Sequence, residues 1–171
     1  MSAPRRHAPP DDLGAEFGPA LSFLRALWEL NHTLESASRA MKRHLGVTGP
    51  ERLFIRIVGQ IPGITPAAVA EILHLDRSSV TPLLKRVERR RLVRRDRDAA
   101  DGRSFHLTLT PAGERIDALQ TGTIEAAVGA AIAATAARDV DVTARTLGHV
   151  AGRLRASAAR TRRRAPRRRP R

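Results

Sequence analysis

Cysteine is absent from this sequence. That excludes disulfides, cysteine-held iron–sulfur clusters and thiol-based sensing. Aromatic residues are scarce as well, with one tryptophan, four phenylalanines and no tyrosine. Long apolar runs are also lacking. The most apolar segment, Ala126 to Ala137, is alanine-rich and too short for a bilayer, which needs about 20 apolar residues in a helix. The N-terminus has no apolar core of the kind a signal peptide carries, so the expectation is a cytoplasmic protein with no membrane partner. Catalytic signatures are missing too: there is no Walker loop, G-x-G-x-x-G, G-x-S-x-G or H-E-x-x-H. The histidines at 7, 32, 44, 74, 106 and 149 are scattered without ligand spacing. His44 and His149 could meet in a dimer, but scattered histidines are more often surface residues. No enzyme, cofactor or metal site is expected.

What the chain has in excess is positive charge. Its formal net charge is +14 over 171 residues, room for one domain with a sizeable core. Residues 160 to 171 hold eight arginines and no acid, which leaves +6 for everything else. Between Asp76 and Ser104, ten Lys/Arg face five Asp/Glu. Almost all the remaining excess therefore lies in that one stretch, a distribution that favours a polyanionic partner.

The same stretch sits inside the segment from Thr65 to Thr110, which reads as helix, turn, helix and hairpin. Thr65-Pro66 starts the first helix, with threonine as cap and proline where no amide is needed. Val69, Ile72 and Leu73 form its expected buried face. Asp76 caps the second helix, with Leu75 and Val80 placed for a hydrophobic staple. Val80, Leu83, Leu84 and Val87 fall at i, i+3, i+4 and i+7 and make one stripe. The other side carries Ser78, Thr81, Pro82, Lys85, Arg86 and Arg89, with no acid. Hydroxyls and guanidinium groups there can contact base edges in a major groove, and the cations neutralise phosphates. An ordinary solvated face has the same composition, and the helix alone does not separate the two readings. The hairpin does. Leu92 to Asp96 leads out, and Phe105, Leu107 and Leu109 alternate with polar residues on the return. The tip between them, Arg97 to Arg103, is polar and contains a turn glycine. An arginine-tipped hairpin after such a helix suits a minor groove.

Residues 45–116 resemble the MarR family (multiple antibiotic resistance regulators). The matching features are Leu45-Gly46-Val47-Thr48 before a helix, Ala70-Glu71, and Ser79-Val80-Thr81 with Leu84. Asp101-Gly102-Arg103 at the hairpin tip and Leu109-Thr110-Pro111-Ala112-Gly113 complete the set. The resemblance implies a winged helix-turn-helix dimer that binds a palindromic operator and is released by a small molecule. It also implies an arginine of the wing in the minor groove, and an effector cleft between the dimer-forming helices and the reader. The absence of cysteine excludes the family's peroxide-sensing branch. Two positions depart from the pattern. Arg91 stands where the family usually has glycine, at a helix end that favours a left-handed backbone. Pro82 lies inside the reader helix and removes the hydrogen bond toward the Ser78 carbonyl, so a bend is expected.

The expected fold class is mainly α with a small β-hairpin wing, divided as follows. Residues 1–11 form a disordered lead-in, 12–45 an N-terminal dimerisation helix, and 46–110 the winged helix-turn-helix domain. Residues 111–159 form C-terminal dimerisation helices, and 160–171 a disordered arginine-rich tail. Thr48-Gly-Pro-Glu51 is a capping box, followed by an expected buried face of Leu53, Phe54, Ile57, Val58 and Ile61. A single helix is expected from Thr110-Pro111 to about Ala137, then a last helix capped by Asp139 or Asp141. Neither terminal helix has enough large apolar residues to stand alone, so pairing with a second copy through both chain ends is expected; a monomeric bundle is the other arrangement. The tail reads either as a phosphate-binding arm or as a solvated tail. Trp28 could stack an aromatic effector, with His32 or an arginine meeting its carboxylate, although a tryptophan at helical spacing usually packs in a core.

The partners expected are double-stranded DNA, a second copy of the chain, and a small aromatic or anionic effector. The candidate DNA contacts are Arg77, Ser78, Ser79, Thr81, Pro82, Lys85, Arg86, Arg89, Arg97 and Arg103, with Asp101 orienting Arg103. The function so read is that of a sequence-specific transcriptional repressor. A non-specific architectural DNA binder driven by wing and tail is the alternative.

Overall fold

A computed structural model describes residues 18–97 and 104–164. These residues form two compact units, dividing between Ile124 and Glu125. In the first unit, α1 (Gly18–Leu45) stops at Gly46, whose φ of +76° is costless only without a Cβ. α2 (Gly49–Gln60) opens with the expected capping box. The Glu51 carboxylate accepts from the Thr48 amide at 2.9 Å, and Thr48 Oγ1 accepts from the Glu51 amide at 3.4 Å.

α2 is the central element and meets α1, α3 (Pro66–Ile72), α4 (Arg77–Arg89) and β2 (Phe105–Leu109), together with α5 (Pro111–Asp117). Its buried face differs from the expected one. Phe54, Ile55, Ile57 and Val58 are buried, whereas Leu53 and Ile61 are exposed. Apolar residues occur on several sides of this helix, and the i, i+3, i+4, i+7 set that wins is 51, 54, 55 and 58.

Thr65 caps α3 by accepting from the Ala68 amide at 3.2 Å. Val69 is buried as expected, but Ile72 is exposed. The helix ends there, and the chain turns through His74 at φ +51°, so Ile72 is not carried onto the core by a following turn. Asp76 caps α4 by accepting from the Ser79 amide at 2.8 Å. Val80, Leu83, Leu84 and Val87 are all buried, as their spacing required.

α4 ends in a Schellman motif: the Leu92 amide donates to Val87 O at 3.0 Å and the Arg91 amide to Glu88 O at 2.8 Å. The left-handed position of that motif is Arg91, at φ +54°, where glycine would be unstrained. Thr110 Oγ1 donates to Arg91 O at 2.6 Å and braces the turn. β1 (Val93–Arg97) pairs antiparallel with β2, Val93 opposite Leu109 and Arg97 opposite Phe105. Ile64 adds a bridge to Leu107, which is fully buried.

Thr110 also caps α5, accepting from the Gly113 amide at 3.1 Å. Glycine is required there because a Cβ would collide with the Leu92 carbonyl oxygen. The single helix expected from Thr110 to Ala137 is broken after Asp117. Arg52, almost fully buried, donates to the carbonyl of Ile116 and, at 2.8 Å, to that of Leu119. Arg56 pairs with Asp117 at 3.0 Å. Cations on the last carbonyls satisfy them and suit the negative end of the helix dipole, so the helix stops. The chain then passes Gly122 at φ +69° before α6 (Ile124–Ala133).

In the second unit, α7 (Ala137–Arg164) begins ahead of both Asp139 and Asp141, the residues expected to cap it. Asp139 lies instead in its first turn, where a carboxylate favours the positive end of the dipole. The helix also runs to Arg164, into the segment read as a disordered tail. Arginine is a good helix former, and its charge is readily solvated on an exposed face. The lead-in, the start expected at 12 and the end of the tail lie outside the described residues. Among the described residues no helix is long and apolar enough to cross a membrane.

Candidate nucleic-acid interface

The buried stripe of α4 fixes what its other side presents. Ser78, Ser79, Thr81, Pro82, Lys85, Arg86 and Arg89 are exposed together, as is Arg77 at the first turn. The hydroxyls are already oriented. Ser78 Oγ donates to Asp76 Oδ1 at 2.6 Å, and Thr81 Oγ1 donates to Arg77 O at 2.7 Å. Each keeps oxygen lone pairs for an incoming donor. Pro82 stands within α4, which continues through it to Arg89.

Arg86 is only partly available. Its Nε lies 3.6 Å from Glu51 Oε1, while Arg90 is 3.2 Å and Lys42 3.9 Å from Glu51 Oε2. Glu51 is 3% exposed, so one buried carboxylate ties the reader helix to α2 and to the end of α1. The sequence identified Glu51 only as half of a capping box. Its second role depends on three cations, from positions 42, 86 and 90, that local spacing does not bring together.

The wing strands add a basic surface. Arg94 Nε is paired with Asp96 Oδ2 at 2.8 Å, and Thr108 Oγ1 donates to the same oxygen at 3.3 Å. His106 Nδ1 lies 2.6 Å from Gly63 O and fastens the wing to the loop before α3. Arg97, an expected contact, is exposed at the end of β1. Arg103 and Asp101 lie outside the described residues.

A reader helix with a hydroxyl-rich cationic face, followed by a basic hairpin, is the architecture of winged helix-turn-helix proteins. The MarR family profile matches residues 45–104, the span of these elements. Over these residues the chain is similar to the MarR family. It is 33% identical over 88 residues to the HTH-type transcriptional regulator TtmR of Methylorubrum extorquens (strain PA1), covering 52% of this chain and 45% of that protein. The chain thus spans about half the length of the curated relatives it matches. Two solved MarR-like structures are each 25% identical. FabT of Streptococcus pneumoniae in complex with DNA has a TM-score of 0.58 and covers 80% of this chain and 95% of that one. PcaV of Streptomyces coelicolor in complex with its natural ligand has a TM-score of 0.62 and covers 80% and 94%.

Trp28 and His32, the expected effector residues, lie one turn apart on α1. Trp28 is 79% exposed, against its expected place in a core, and His32 is exposed as well. Trp28 belongs to a row with Leu21 and Leu24, both exposed, on the part of α1 that precedes the buried Met41. Its spacing is that of a core residue, yet no described residue covers it. A cleft of about 330 Å³ is instead lined by Arg56, Gly59, Pro62, Thr108, Glu114 and Asp117.

Proposed function

We propose that this chain acts as a homodimeric, sequence-specific DNA-binding transcriptional repressor in the cytoplasm, binding a palindromic operator and released by a small aromatic or anionic effector. The observation that carries the reading is α4. Its buried stripe leaves an outer face of hydroxyls, lysine and arginine, next to a wing rich in arginine. Such a face can exchange hydrogen bonds with base edges while neutralising phosphates. In this reading Ser78, Ser79, Thr81, Lys85 and Arg86 approach the major groove. Arg103, oriented by Asp101, enters the minor groove, where arginine loses less hydration than lysine.

Two further features support parts of the proposal. The exposed apolar residues of α1, together with Val128, Ile132, Val142 and Leu154 of the second unit, supply the surface that twofold pairing through both chain ends requires. Trp28 on α1 is then available either to that interface or to an aromatic ligand. The arginines from Arg160 onward add sequence-independent affinity through counterion release.

The test is the ratio of affinity for the chain's own promoter region to that for mixed-sequence duplex, at physiological salt. A specific regulator exceeds its non-specific binding by roughly a thousandfold or more. A ratio near one assigns the chain instead to architectural, charge-driven DNA binding.

A further inference from the structure

The flank of the wing carries a cationic stack of which only Arg97 is among the DNA contacts expected above. Val93, Arg95 and Arg97 stand opposite Leu109, Leu107 and Phe105 in the register of β1 and β2, and directly opposed side chains share one face of a sheet. At its base that face is core, with Val93 and Leu107 buried. Toward the tip it changes character: Arg95 and Arg97 are exposed and gather around a half-buried Phe105. The Arg95 guanidinium carbon lies 3.9 Å from the centre of the Phe105 ring and that of Arg97 5.9 Å, both within the range of cation–π attraction. The acid of these strands, Asp96, alternates onto the other face, where it holds Arg94.

We propose that Phe105 is a platform that presents Arg95 and Arg97 to DNA phosphates, making the flank of the wing a contact surface separate from the reader helix and the wing tip. A ring under a guanidinium restrains it without occupying its N–H donors, which keep their fork geometry for phosphate oxygens. Ordering the two side chains beforehand removes part of the entropy otherwise lost on binding. The surface carries affinity rather than sequence preference, because phosphates hold no base information. Phe105 is here a positioning residue, and the inference rests on the proposal that the chain binds duplex DNA.

The experiment titrates the full-length protein against a fluorescein-labelled mixed-sequence duplex, by anisotropy, over a range of salt concentrations. Arg95→Ala and Arg97→Ala should each lower the magnitude of the salt slope by about 0.9, the value for one phosphate contact. Phe105→Leu keeps both charges and should weaken binding about three- to tenfold, the scale of lost cation–π restraint. Phe105→Tyr, which keeps the aromatic face, should bind like wild type. Arg95→Ala should cost less in the Phe105→Leu background than alone, a coupling that general loosening of the wing does not produce. Arg95→Lys, at an exposed position with no risk to folding, should bind more weakly than wild type despite its retained charge.

The inference is overturned if Arg95→Lys matches wild type, or if the Phe105→Leu and Arg95→Ala losses simply multiply. Wild-type protein that fails to bind any duplex refutes the DNA-binding proposal itself. Wild-type binding without the coupling refutes only the platform.

Discussion

Glu51 should be a main attachment of the reader helix, and two substitutions separate its roles. The carboxylate is 3% exposed and accepts from the Thr48 amide at 2.9 Å, with Arg90 at 3.2 Å, Arg86 at 3.6 Å and Lys42 at 3.9 Å. Glu51→Gln keeps an acceptor for the Thr48 amide, so the capping box survives and only the charge is lost. Removing one member of a fully buried ion pair costs about 3–5 kcal/mol because the partner is left uncompensated. Here the cations are 31% to 47% exposed and regain water, so the expected loss is smaller, about 1–2 kcal/mol. Glu51→Ala also deletes the reciprocal bond of the cap and leaves a void, adding about 1 kcal/mol. Urea unfolding at one fixed protein concentration measures both, since the proposed dimerisation would make stability concentration-dependent. If Glu51→Gln unfolds within about 0.5 kcal/mol of wild type, the level of a neutral surface change, the three cations do not depend on this carboxylate and the reasoning fails. The reasoning fails equally if Gln and Ala are indistinguishable, because the cap would then contribute nothing.

Gly113→Ala should cost at least about 2 kcal/mol, since the new methyl meets backbone rather than a movable side chain; a thermal midpoint equal to wild type would show that the Leu92–Gly113 approach is looser than described. Arg91→Gly should stabilise by about 0.5–1 kcal/mol, the relief of a left-handed residue less glycine's extra unfolded-state entropy, and a lower urea midpoint would contradict this. Arg103→Ala should weaken operator binding by about 1–3 kcal/mol, Arg103→Lys should recover part of that, and Arg5→Ala should do nothing. Anisotropy titrations against one selected operator check these three, and full recovery by lysine would reduce the wing tip to diffuse charge.

Much of the reader domain was legible because its signals are local. Caps at Thr48, Thr65, Asp76 and Thr110 need only a hydroxyl or carboxylate and the amides three residues on, and each forms as its sequence implies. The stripe of α4 is legible because four apolar residues at one spacing leave a single way to bury the helix. α2 was less legible for the opposite reason. Apolar residues at 53, 54, 55, 57, 58 and 61 permit several faces, and only the neighbours meeting it leave Leu53 and Ile61 outside. Phe105 was readable as an inward strand residue, but its role under Arg95 and Arg97 depends on cross-strand register.

The sequence by itself determined where the helices of the reader domain start, which side of α4 is left exposed, and that the charge of the chain favours an anionic partner. Those properties follow from periodicity, capping chemistry and net charge, all of which act over a few residues or are simple sums. Only the tertiary structure decided that the helix after the wing breaks at Asp117, that Glu51 gathers three cations, and that Trp28 stays uncovered within its own unit. The break comes from Arg52 and Arg56 taking carbonyls more than sixty positions away. Burial of the Glu51 carboxylate is tolerable only because separate helices bring charge to it. Such contacts join residues distant in the chain, and no local pattern encodes which of them will meet.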